Sequence, residues 1–393
     1  MMKEIKFRQE YDDIKIAEIS LPEHIFLPLN RNAGAVNLEV GHQINKFDEV
    51  VPGVISPVTG EIKEYLKMYI DGIETDVVKI ATVENGRDEG DHDRNNITDE
   101  PDKNFHEKLK KSGYFLENVI DSDCDIVVSA VETDPLCSVS QQILRENRKD
   151  LNQNFDLFKK IFNRKKINFA VPEHLFDMVW KLQSQGVNVW KVEPNYPNGI
   201  PEILINSAIE NKALKSPLYL KLEEFLNICD AAVTGRPNLK KVITVTDING
   251  MRNINVIKGT PLSHILKDSD IRSAGKVVTG GPLRGYANFD LNIPVTDITD
   301  SVYVQYEKDV VRAVNNQCIN CGRCNGHCPV NLSVNLLTRY SEFSQFENCR
   351  DLGVENCIEC GLCSFYCPTG RSLVQLIRLA KSEIKNLEGE IEQ

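Results

Sequence analysis

The spacing of hydrophobic and polar residues changes several times along the chain, and each change predicts a different kind of structure. Up to about residue 82, short alternating runs are interrupted by proline and glycine, a pattern typical of a β domain. Residues 83–104 are polar, acidic and nearly free of apolar side chains, which predicts a linker. Over residues 105–235, short apolar runs alternate with helical patterns. This alternation predicts an α/β layer with a largely parallel sheet.

Residues 236–305 return to the alternation typical of strands, and residues 306–393 combine helical patterns with most of the cysteines. A helix is predicted over residues 332–346, and its apolar stripe is expected to pack over the cysteine motifs. That stripe consists of Leu336, Leu337, Tyr340 and Phe343. The last helix is predicted from residue 372 to about residue 387. Its basic face is expected to be solvated, with attraction of an acidic partner as the alternative. That face carries Arg371, Arg378, Lys381 and Lys385.

The composition narrows the classes of partner. The chain has 393 residues, enough for two to four domains, and 41% of them are hydrophobic. Its formal net charge of −11 argues against nucleic acid, whose phosphate backbone requires a basic protein surface. The charged N-terminus is unlike a signal peptide, and no apolar run approaches the roughly 20 residues of a membrane-spanning helix. We therefore expect a cytoplasmic protein without direct membrane insertion, any attachment to the inner face of the membrane being through partners.

Eight of the twelve cysteines form two copies of one motif, C-x2-C-x2-C-x3-C-P. In such a motif three thiolates bind one iron–sulfur cubane, and the fourth, directed away by the proline, binds the other. Two [4Fe–4S] clusters are therefore predicted, with Gly322 and Gly361 allowing the tight turns around them. The first cluster is expected on Cys318, Cys321, Cys324 and Cys367, and the second on Cys357, Cys360, Cys363 and Cys328.

Zinc sites and a disulfide framework are the alternatives for these cysteines. Zinc ribbons use two C-x2-C units separated by a longer loop, and disulfide frameworks belong to small secreted chains. Neither explains why four cysteines recur twice with a proline after the last, so clusters are favoured. Of the remaining cysteines, Cys124 and Cys229 are expected to be small core residues and Cys349 a structural one. Cys137 is expected to be an ordinary half-buried thiol, with recruitment for chemistry as the alternative.

Three short segments precede the cysteine motifs in an order that resembles the RnfC family. They are Ser129-Ala-Val-Glu132-Thr-Asp134-Pro135, Tyr196-Pro197-Asn198-Gly199 and Gly280-Gly281-Pro282-Leu283-Arg284-Gly285. That family comprises the iron–sulfur C subunits of ion-pumping ferredoxin:NAD oxidoreductase complexes, with related cobalamin-reductase-like and proline-reductase-associated proteins. The resemblance covers nearly the whole chain and implies a multidomain α+β fold.

The resemblance also implies what each domain is. Residues 1–82 would form a barrel-sandwich hybrid, residues 83–104 an acidic linker, and residues 105–235 an α/β domain like the flavin subunit of respiratory complex I. Residues 236–305 would form an SLBB-type β-grasp domain, and residues 306–393 an α-helical dicluster ferredoxin. A lipoyl-type attachment is not expected in the first domain, because Glu74-Thr75-Asp76-Val77-Val78 has valine where a lysine would be required.

The chain departs from the family where a flavin would bind. The family carries a glycine-rich loop whose backbone amides approach the flavin phosphate, whereas this chain has Ser112-Gly113-Tyr114-Phe115-Leu116, with a single glycine. Because the bulky side chains would obstruct that approach, FMN and NADH binding are expected to be lost. Gly113, Glu132 and Asp134 are the candidate remnants of a flavin pocket, and retained FMN is the alternative.

The leading hypothesis is an electron-transfer protein. It would relay electrons through two [4Fe–4S] clusters between a low-potential donor, ferredoxin- or NADH-linked, and a partner reductase or membrane complex. In this role it is an electron-transfer subunit of an oxidoreductase system, and no catalytic residue is assigned. One alternative is an FMN-containing NADH/ferredoxin oxidoreductase subunit of the RnfC type. The other is an assembly subunit whose clusters are structural.

Overall fold

A computed structural model describes most of the chain, in ranges separated by short gaps. These ranges are residues 5–6, 15–29, 38–83, 105–114, 124–163, 167–210, 214, 217–310 and 316–391. The predicted acidic linker lies outside them except for its first residue. The bulky residues predicted to obstruct a flavin after Tyr114 also lie outside them.

The first part of the chain forms eight of the described strands. They are β1 (Ile5–Lys6), β2 (Ala17–Glu18), β3 (His24–Pro28), β4 (Gln43–Ile44), β5 (Glu49–Val51), β6 (Val54–Ile55), β7 (Gly60–Ile70) and β8 (Ile73–Thr82). Four of them pair in the order β3-β8-β7-β4, and β5 pairs with β6. The β7–β8 hairpin turns at Asp71 and Gly72, both with positive φ, as a two-residue hairpin turn requires. Side chains on these strands form a buried core that includes Ile25, Ile62 and Ile80.

A parallel sheet follows, as the alternation of apolar runs and helical patterns predicts. Its strands are β9 (Ile126–Ser129), β10 (Ile167–Pro172), β11 (Val187–Val192) and, beyond the short β12 (Asn195–Tyr196), β13 (Leu218–Lys221). They lie in the order β11-β10-β9-β13. All six residues of β10 are buried, since the strand is central in a sheet covered on both faces. The carboxyl ends of β9 and β13 therefore point to one edge, where Ser129 and Lys221 lie side by side.

Helices cover this sheet. They are α1 (Phe105–Lys111), α2 (Val139–Glu146), α3 (Leu151–Ile161), α4 (Phe176–Val179), α5 (Pro201–Glu210) and α6 (Leu222–Thr234). The helical pattern beginning at Glu173 is only partly α-helical, because short 3₁₀ segments, Glu173–Leu175 and Trp180–Gln185, flank α4. The largest core of the described residues lies under α3 and α6, where the ring of Phe155 packs on those of Phe169 and Phe225.

A second sheet is built mainly from the strands after residue 236. They are β14 (Lys240–Asp247), β15 (Gly250–Ile257), β16 (Ala274–Thr279), β17 (Tyr286–Asn288) and β18 (Ser301–Tyr306), with α7 (Leu262–Ile265) between β15 and β16. The sheet order is β17-β16-β18-β14-β15-β2. Its core also takes in Phe26, Met68 and Val77 of the first part of the chain, so the two β regions share one hydrophobic interior.

The N-terminal residues pair with strands that come much later in the sequence. Strand β1 pairs with β12, opposite Tyr196, and β2 runs parallel to β15, with Ala17 opposite Ile254. Backbone pairing thus attaches the start of the chain both to β12, which follows the parallel-sheet strand β11, and to the second β sheet. An alternating pattern predicts that a segment is a strand, but it does not specify the partner strand.

The C-terminal part is helical. It contains α8 (Arg323–Gly326), α9 (Val334–Glu342), α10 (Phe346–Asp351), α11 (Leu362–Phe365) and α12 (Leu373–Ile391). The helix predicted over residues 332–346 is shorter than expected, because the chain turns at Phe343 and Ser344. The predicted apolar stripe is correspondingly wrong in part. Leu337 is buried, but Leu336 is 40% exposed and Phe343 is 70% exposed.

The basic face of the last helix is not free in solvent as expected. Arg371 forms an ion pair with Glu342, and both Arg378 and Lys381 pair with Glu359. Of the four predicted basic residues, only Lys385 is exposed. Arg371 precedes the first residue of the helix, Leu373, and the acidic partners of the three paired cations lie outside the helix. Within the described residues, no helix is long and apolar enough to cross a lipid bilayer.

Candidate iron–sulfur centre

Four cysteines from both motifs line one cavity at the surface of the C-terminal helices. We call them the outer cysteine group: Cys318, Cys321, Cys324 and Cys367. Thr338, Arg371 and Leu373 complete part of the wall. Cys318 and Cys321 are exposed, whereas Cys324 and Cys367 are half-buried. Three thiols of the first motif and the last thiol of the second therefore face the same space.

The other four cysteines form a more enclosed set, the inner cysteine group, which consists of Cys357, Cys360, Cys363 and Cys328. Cys360 and Cys363 are both 7% exposed. Burial, with negative charge on Cys357 and Cys328, raises the pKa of the Cys360 thiol to about 11. Burial likewise raises the pKa of Cys363 to about 12. Thiolates in such a place need nearby positive charge, which bound iron would supply.

The two motifs repeat the same backbone geometry. Asn320 and Glu359, two residues after the first cysteine of each motif, both have positive φ, and each donates its backbone N–H to that cysteine's sulfur at 3.4 Å. Gly322 and Gly361 follow with φ of 72° and 74°. These paired conformations present successive thiols and N–H groups toward one side of the turn, as cluster binding requires.

The arrangement of the thiols is compatible with the crossed ligation that the sequence predicts, and that ligation stays a prediction. Each group takes three thiols from one motif and one from the other, and both groups pack on the core under α9 and α12. Within the described ranges, no three histidine, cysteine, aspartate or glutamate side chains converge as a single-ion site. A tetrahedral zinc ion needs its sulfur ligands about 2.3 Å from one point. Each cysteine group supplies the four thiols that one [4Fe–4S] cluster uses as ligands, and the binding of two clusters stays a prediction.

The inner cysteine group is covered on the Cys360 side by residues that follow strand β11. The Tyr196 hydroxyl donates a hydrogen bond to the backbone oxygen of Cys360. Tyr196, Ile200, Cys360 and Leu362 form a small buried hydrophobic cluster. Its partly buried neighbours include Leu283 and Ile358. In the sequence, the segment that contains Tyr196 is only one of three segments whose order resembles that of the RnfC family. In the structure, it forms part of the wall around the second cysteine motif.

Residues 280–285, which we call the wedge loop, lie on another side of the inner group. A Cβ at Gly361 would come within 2.3 Å of the backbone oxygen of Leu283. On the opposite side, a Cβ at Gly281 would lie 2.2 Å from the carboxyl carbon of Asp134. Two glycines therefore permit the wedge loop to fit between the second cysteine motif and Asp134.

The candidate flavin remnants Glu132 and Asp134 are buried beside these segments, and their carboxylates are engaged by the protein itself. Glu132 accepts a hydrogen bond from the backbone N–H of Gln141 at 2.9 Å. Asp134 accepts from the N–H groups of Leu136 and Leu283. Burial raises the pKa of Glu132 to about 7 and that of Asp134 to about 6. Both side chains therefore hold protons more tightly than exposed carboxyls do.

Gly113 has a different setting from the two carboxylates. It lies in the turn that ends α1, with φ of 82°, and its N–H donates to the oxygen of Lys110. A Cβ there would meet nothing within 4 Å. The glycine is thus explained by its backbone conformation, and no close approach of another group requires it.

A buried charge network next to Glu132 was not anticipated from the sequence. Lys241 pairs with both Glu223 and Asp300, and Lys221 also pairs with Asp300. Burial alone would raise the pKa of Asp300, but the two lysines hold it at about 2. The sequence feature that could have predicted this network is Lys241, which lies at an inward-facing position of strand β14. A buried lysine is rare unless an acidic group pairs with it.

The four cysteines outside the motifs are placed as follows. Cys137, Cys229 and Cys349 are buried, and Cys124 is half-buried. Cys137 is therefore more deeply enclosed than predicted, and burial raises the pKa of its thiol well above the usual value. This setting favours an unreactive packing role for Cys137 over recruitment for chemistry.

Comparisons with known proteins agree with this geometry. The family described as a 4Fe-4S dicluster domain matches residues 310–368. The C subunit of the Na(+)-translocating ferredoxin:NAD(+) oxidoreductase complex of Acetobacterium woodii is 28% identical over 67% of this chain and 62% of its own length. The C subunit of an ion-translocating oxidoreductase complex of Methanosarcina acetivorans is 37% identical over 42% of this chain and 37% of its own length. The chain thus spans less than two thirds of either relative.

Among solved structures, an NAD+-reducing [NiFe]-hydrogenase aligns with a TM-score of 0.44 and 11% identity, over 66% of this chain and 55% of the other. That likeness is too low to carry an argument. The fold and the cysteine groups define the class: a mixed α+β iron–sulfur protein with a C-terminal 4Fe–4S dicluster domain. Within that class, the resemblance to the RnfC subunits is confirmed by the named relatives.

The two motif glycines provide a matched test of the wedge loop. Gly361→Ala and Gly322→Ala both place a side chain at a positive φ, which costs about 1 kcal/mol. Only Gly361→Ala also collides with a backbone atom, the oxygen of Leu283, whereas a Cβ at Gly322 meets nothing within 4 Å. We expect Gly361→Ala to lower the melting temperature clearly more than Gly322→Ala. Equal losses would show that the wedge loop does not constrain Gly361.

The raised pKa of Glu132 predicts that the stability of the folded protein depends on pH. Its pKa is raised from 4.5 to about 7, so the protonated form is favoured by folding. The contribution of Glu132 to the free energy of unfolding is therefore fully present below its unfolded-state pKa of 4.5. It is lost as the pH rises from there through about 7, and the loss amounts to about 3 kcal/mol. Glu132→Gln should therefore lose less stability than the parent between pH 5 and pH 8, as measured by urea unfolding. The exposed Glu347→Gln should behave like the parent, and a parent-like slope in Glu132→Gln would contradict the assignment.

Proposed function

We propose that the chain is an electron-transfer protein that carries two [4Fe–4S] clusters. Cys318, Cys321, Cys324 and Cys367 would hold the outer cluster, and Cys357, Cys360, Cys363 and Cys328 the inner one. The observation that carries the proposal is the pair of four-thiol groups. One opens to solvent at Cys318 and Cys321, and the other is more buried, with Cys360 and Cys363 buried and Cys357 and Cys328 half-buried. A chain with one accessible and one interior centre is suited to passing electrons inward or outward.

Each cluster, when bound, supplies reversible one-electron chemistry at a potential set by its surroundings. The residues of this chain bind, shield and orient the clusters. Tyr196 and Ile200 exclude water from the inner group, and the backbone N–H groups of Asn320 and Glu359 donate to cysteine sulfur. Such hydrogen bonds stabilise negative charge on the cluster and so favour its reduced form.

Electron exchange with another protein is proposed at the outer group. Cys318 and Cys321 are exposed, and Ile319 between them is 65% exposed. An exposed apolar side chain beside a redox centre offers a contact for a partner that must approach closely. The relatives are named as subunits of ferredoxin:NAD or ion-translocating complexes, which supports a ferredoxin- or NADH-linked donor and a partner reductase or membrane complex.

We also propose that the α/β region serves as a scaffold and holds no FMN. Both candidate carboxylates accept backbone hydrogen bonds from this chain, and the wedge loop fills the space beside Asp134. The barrel-sandwich, flavin-domain-like and SLBB identities, with the boundaries given above, form part of this proposal. An ancestral fold retained without its cofactor would still position the inner cluster.

Iron, acid-labile sulfide and released flavin measured on anaerobically purified protein test the function. We expect about eight irons and eight sulfides per chain, as two [4Fe–4S] clusters require, and no flavin. Cys360→Ser should remove about half of the iron or destabilise the protein, while Cys229→Ser, a change of a buried cysteine outside the motifs, should leave the iron content unchanged. Zinc in place of iron, or stoichiometric FMN, would overturn the respective part of the proposal.

The outer surface is tested by Ile319→Lys. The added charge and lost apolar contact should slow reduction by a two-cluster ferredoxin at least severalfold, while reduction by dithionite, a small ion, should change much less. Ile298→Lys is the matched control, since Ile298 is 67% exposed and belongs to the second β sheet region. Stopped-flow absorbance at the cluster bands follows both reactions. Equal slowing by the two substitutions would show that Ile319 is not part of the docking surface.

A further inference from the structure

Arg284, at the tip of the wedge loop, has no role in the function described so far. Its guanidinium lies 3.5 Å from the backbone oxygen of Ile358, the residue that follows the first cysteine of the second motif. Its positive charge also acts on the Cys360 thiol and on Asp134. Arg284 is only partly exposed, so water screens this charge less than that of a surface arginine.

The backbone around Arg284 is held from two directions. On one side, Asp134 accepts hydrogen bonds from the wedge loop, including that of Leu283. On the other, Arg378 of α12 donates to the carbonyl oxygens of Arg284 and Gly285. The side chain of Arg378 also lies over the ring of Tyr286, 4.1 Å from its centroid. The position of the Arg284 charge is therefore fixed by groups that do not belong to the cysteine motifs.

The charged groups differ between the two cysteine groups. Near the inner group lie three cations, Arg284, Arg378 and Lys381, with Glu359 and Asp134 as their acidic neighbours. Lys381 also donates to the backbone oxygen of Cys357. At the outer group, by contrast, Arg371 is paired with Glu342. Three cations and two carboxylates leave one net positive charge near the inner group. At the outer group the Arg371–Glu342 pair is neutral, and Arg323 of the first motif is exposed, so water screens its charge.

Burial and positive charge act in opposite directions on a cluster potential. Reduction adds one negative charge, and an enclosed site of low dielectric disfavours that charge and lowers the potential. A fixed cation near the cluster stabilises the reduced form and raises the potential. Without the cations, the enclosed inner cluster would be the harder of the two to reduce.

We propose that Arg284 is a positioning residue that raises the reduction potential of the inner cluster. Its charge offsets the lowering of the reduction potential by burial. Transfer of an electron from the outer cluster to the inner one is then favourable or close to neutral in free energy. This inference rests on the proposed two-cluster relay and adds to it a reason for electrons to move between the sites. It also gives the wedge loop a function, because this loop, which follows a strand of the second β sheet, holds the guanidinium of Arg284 beside the inner cysteine group.

The test is a redox titration of the intact protein, followed by electron paramagnetic resonance. A soluble paramagnetic ion complex broadens the signal of the exposed outer cluster more strongly, which assigns the two signals. In Arg284→Gln, we expect the inner potential to fall enough to change the electron equilibrium between the clusters about tenfold, or about 59 mV, with the outer potential unchanged. Arg284→Lys, which keeps the charge, should retain most of the parent potential.

Two substitutions serve as controls. Lys385→Gln removes an exposed cation of the same helix as Arg378 and should shift neither potential, whereas Arg371→Gln should lower the outer potential only. If Arg284→Gln loses iron, Lys381→Gln replaces it in the test, with a smaller fall of the inner potential expected. No shift, or an equal shift of both clusters, would overturn the inference and leave the relay standing. Absence of clusters from the parent protein would instead overturn the relay.

Discussion

The contact between the wedge loop and the second cysteine motif is the constraint on which the arrangement of the site depends. The backbone oxygen of Leu283 occupies the space where any side chain at position 361 would begin, so only glycine fits there. The same glycine has the positive φ needed for the turn that presents the cysteines. One residue therefore serves both the turn of the cysteine motif and its contact with the wedge loop. Because the loop is also fixed against Asp134, the cysteine motif, the second β sheet and the parallel-sheet region meet at a single place.

This contact gives two nearly identical motifs different surroundings. The turns at Gly322 and Gly361 have the same backbone conformation, and their N–H groups approach sulfur at the same distance. Yet the first motif faces solvent, while the second is covered by Tyr196 and the wedge loop. Solvent access and local charge are the properties by which a protein adjusts a cluster whose ligands do not change. A repeated ligand motif thus becomes two electrically distinct sites through contacts outside the repeat.

The residues that resemble a flavin pocket have a structural use in this chain. Glu132 accepts a hydrogen bond from the start of α2, and Asp134 holds the wedge loop. Nearby, Lys241 forms ion pairs with both Asp300 and Glu223. Such buried networks are costly to leave incomplete, and when complete they fix the relative position of the elements that supply them. Rigid placement of the two centres is the property that a relay requires, because electron transfer depends on how far apart the centres are held.

Residue spacing and composition were enough to predict an iron–sulfur dicluster domain, the order of strand-rich and helix-rich regions, and the net negative charge that argues against nucleic acid. These properties follow from residue spacing and composition, which are local. The crossed grouping of the eight thiols follows from the same motif, since the proline after each fourth cysteine directs that thiol to the other cluster, and it stays a prediction. Other features depend on long-range contacts: the deeper burial of Cys360 and Cys363, the exposure of Leu336 and Phe343, and the ion pairs of Arg378 and Lys381. Those outcomes depend on contacts between residues far apart in the chain, such as Leu283 with Gly361 and β1 with β12, and no local pattern encodes a partner.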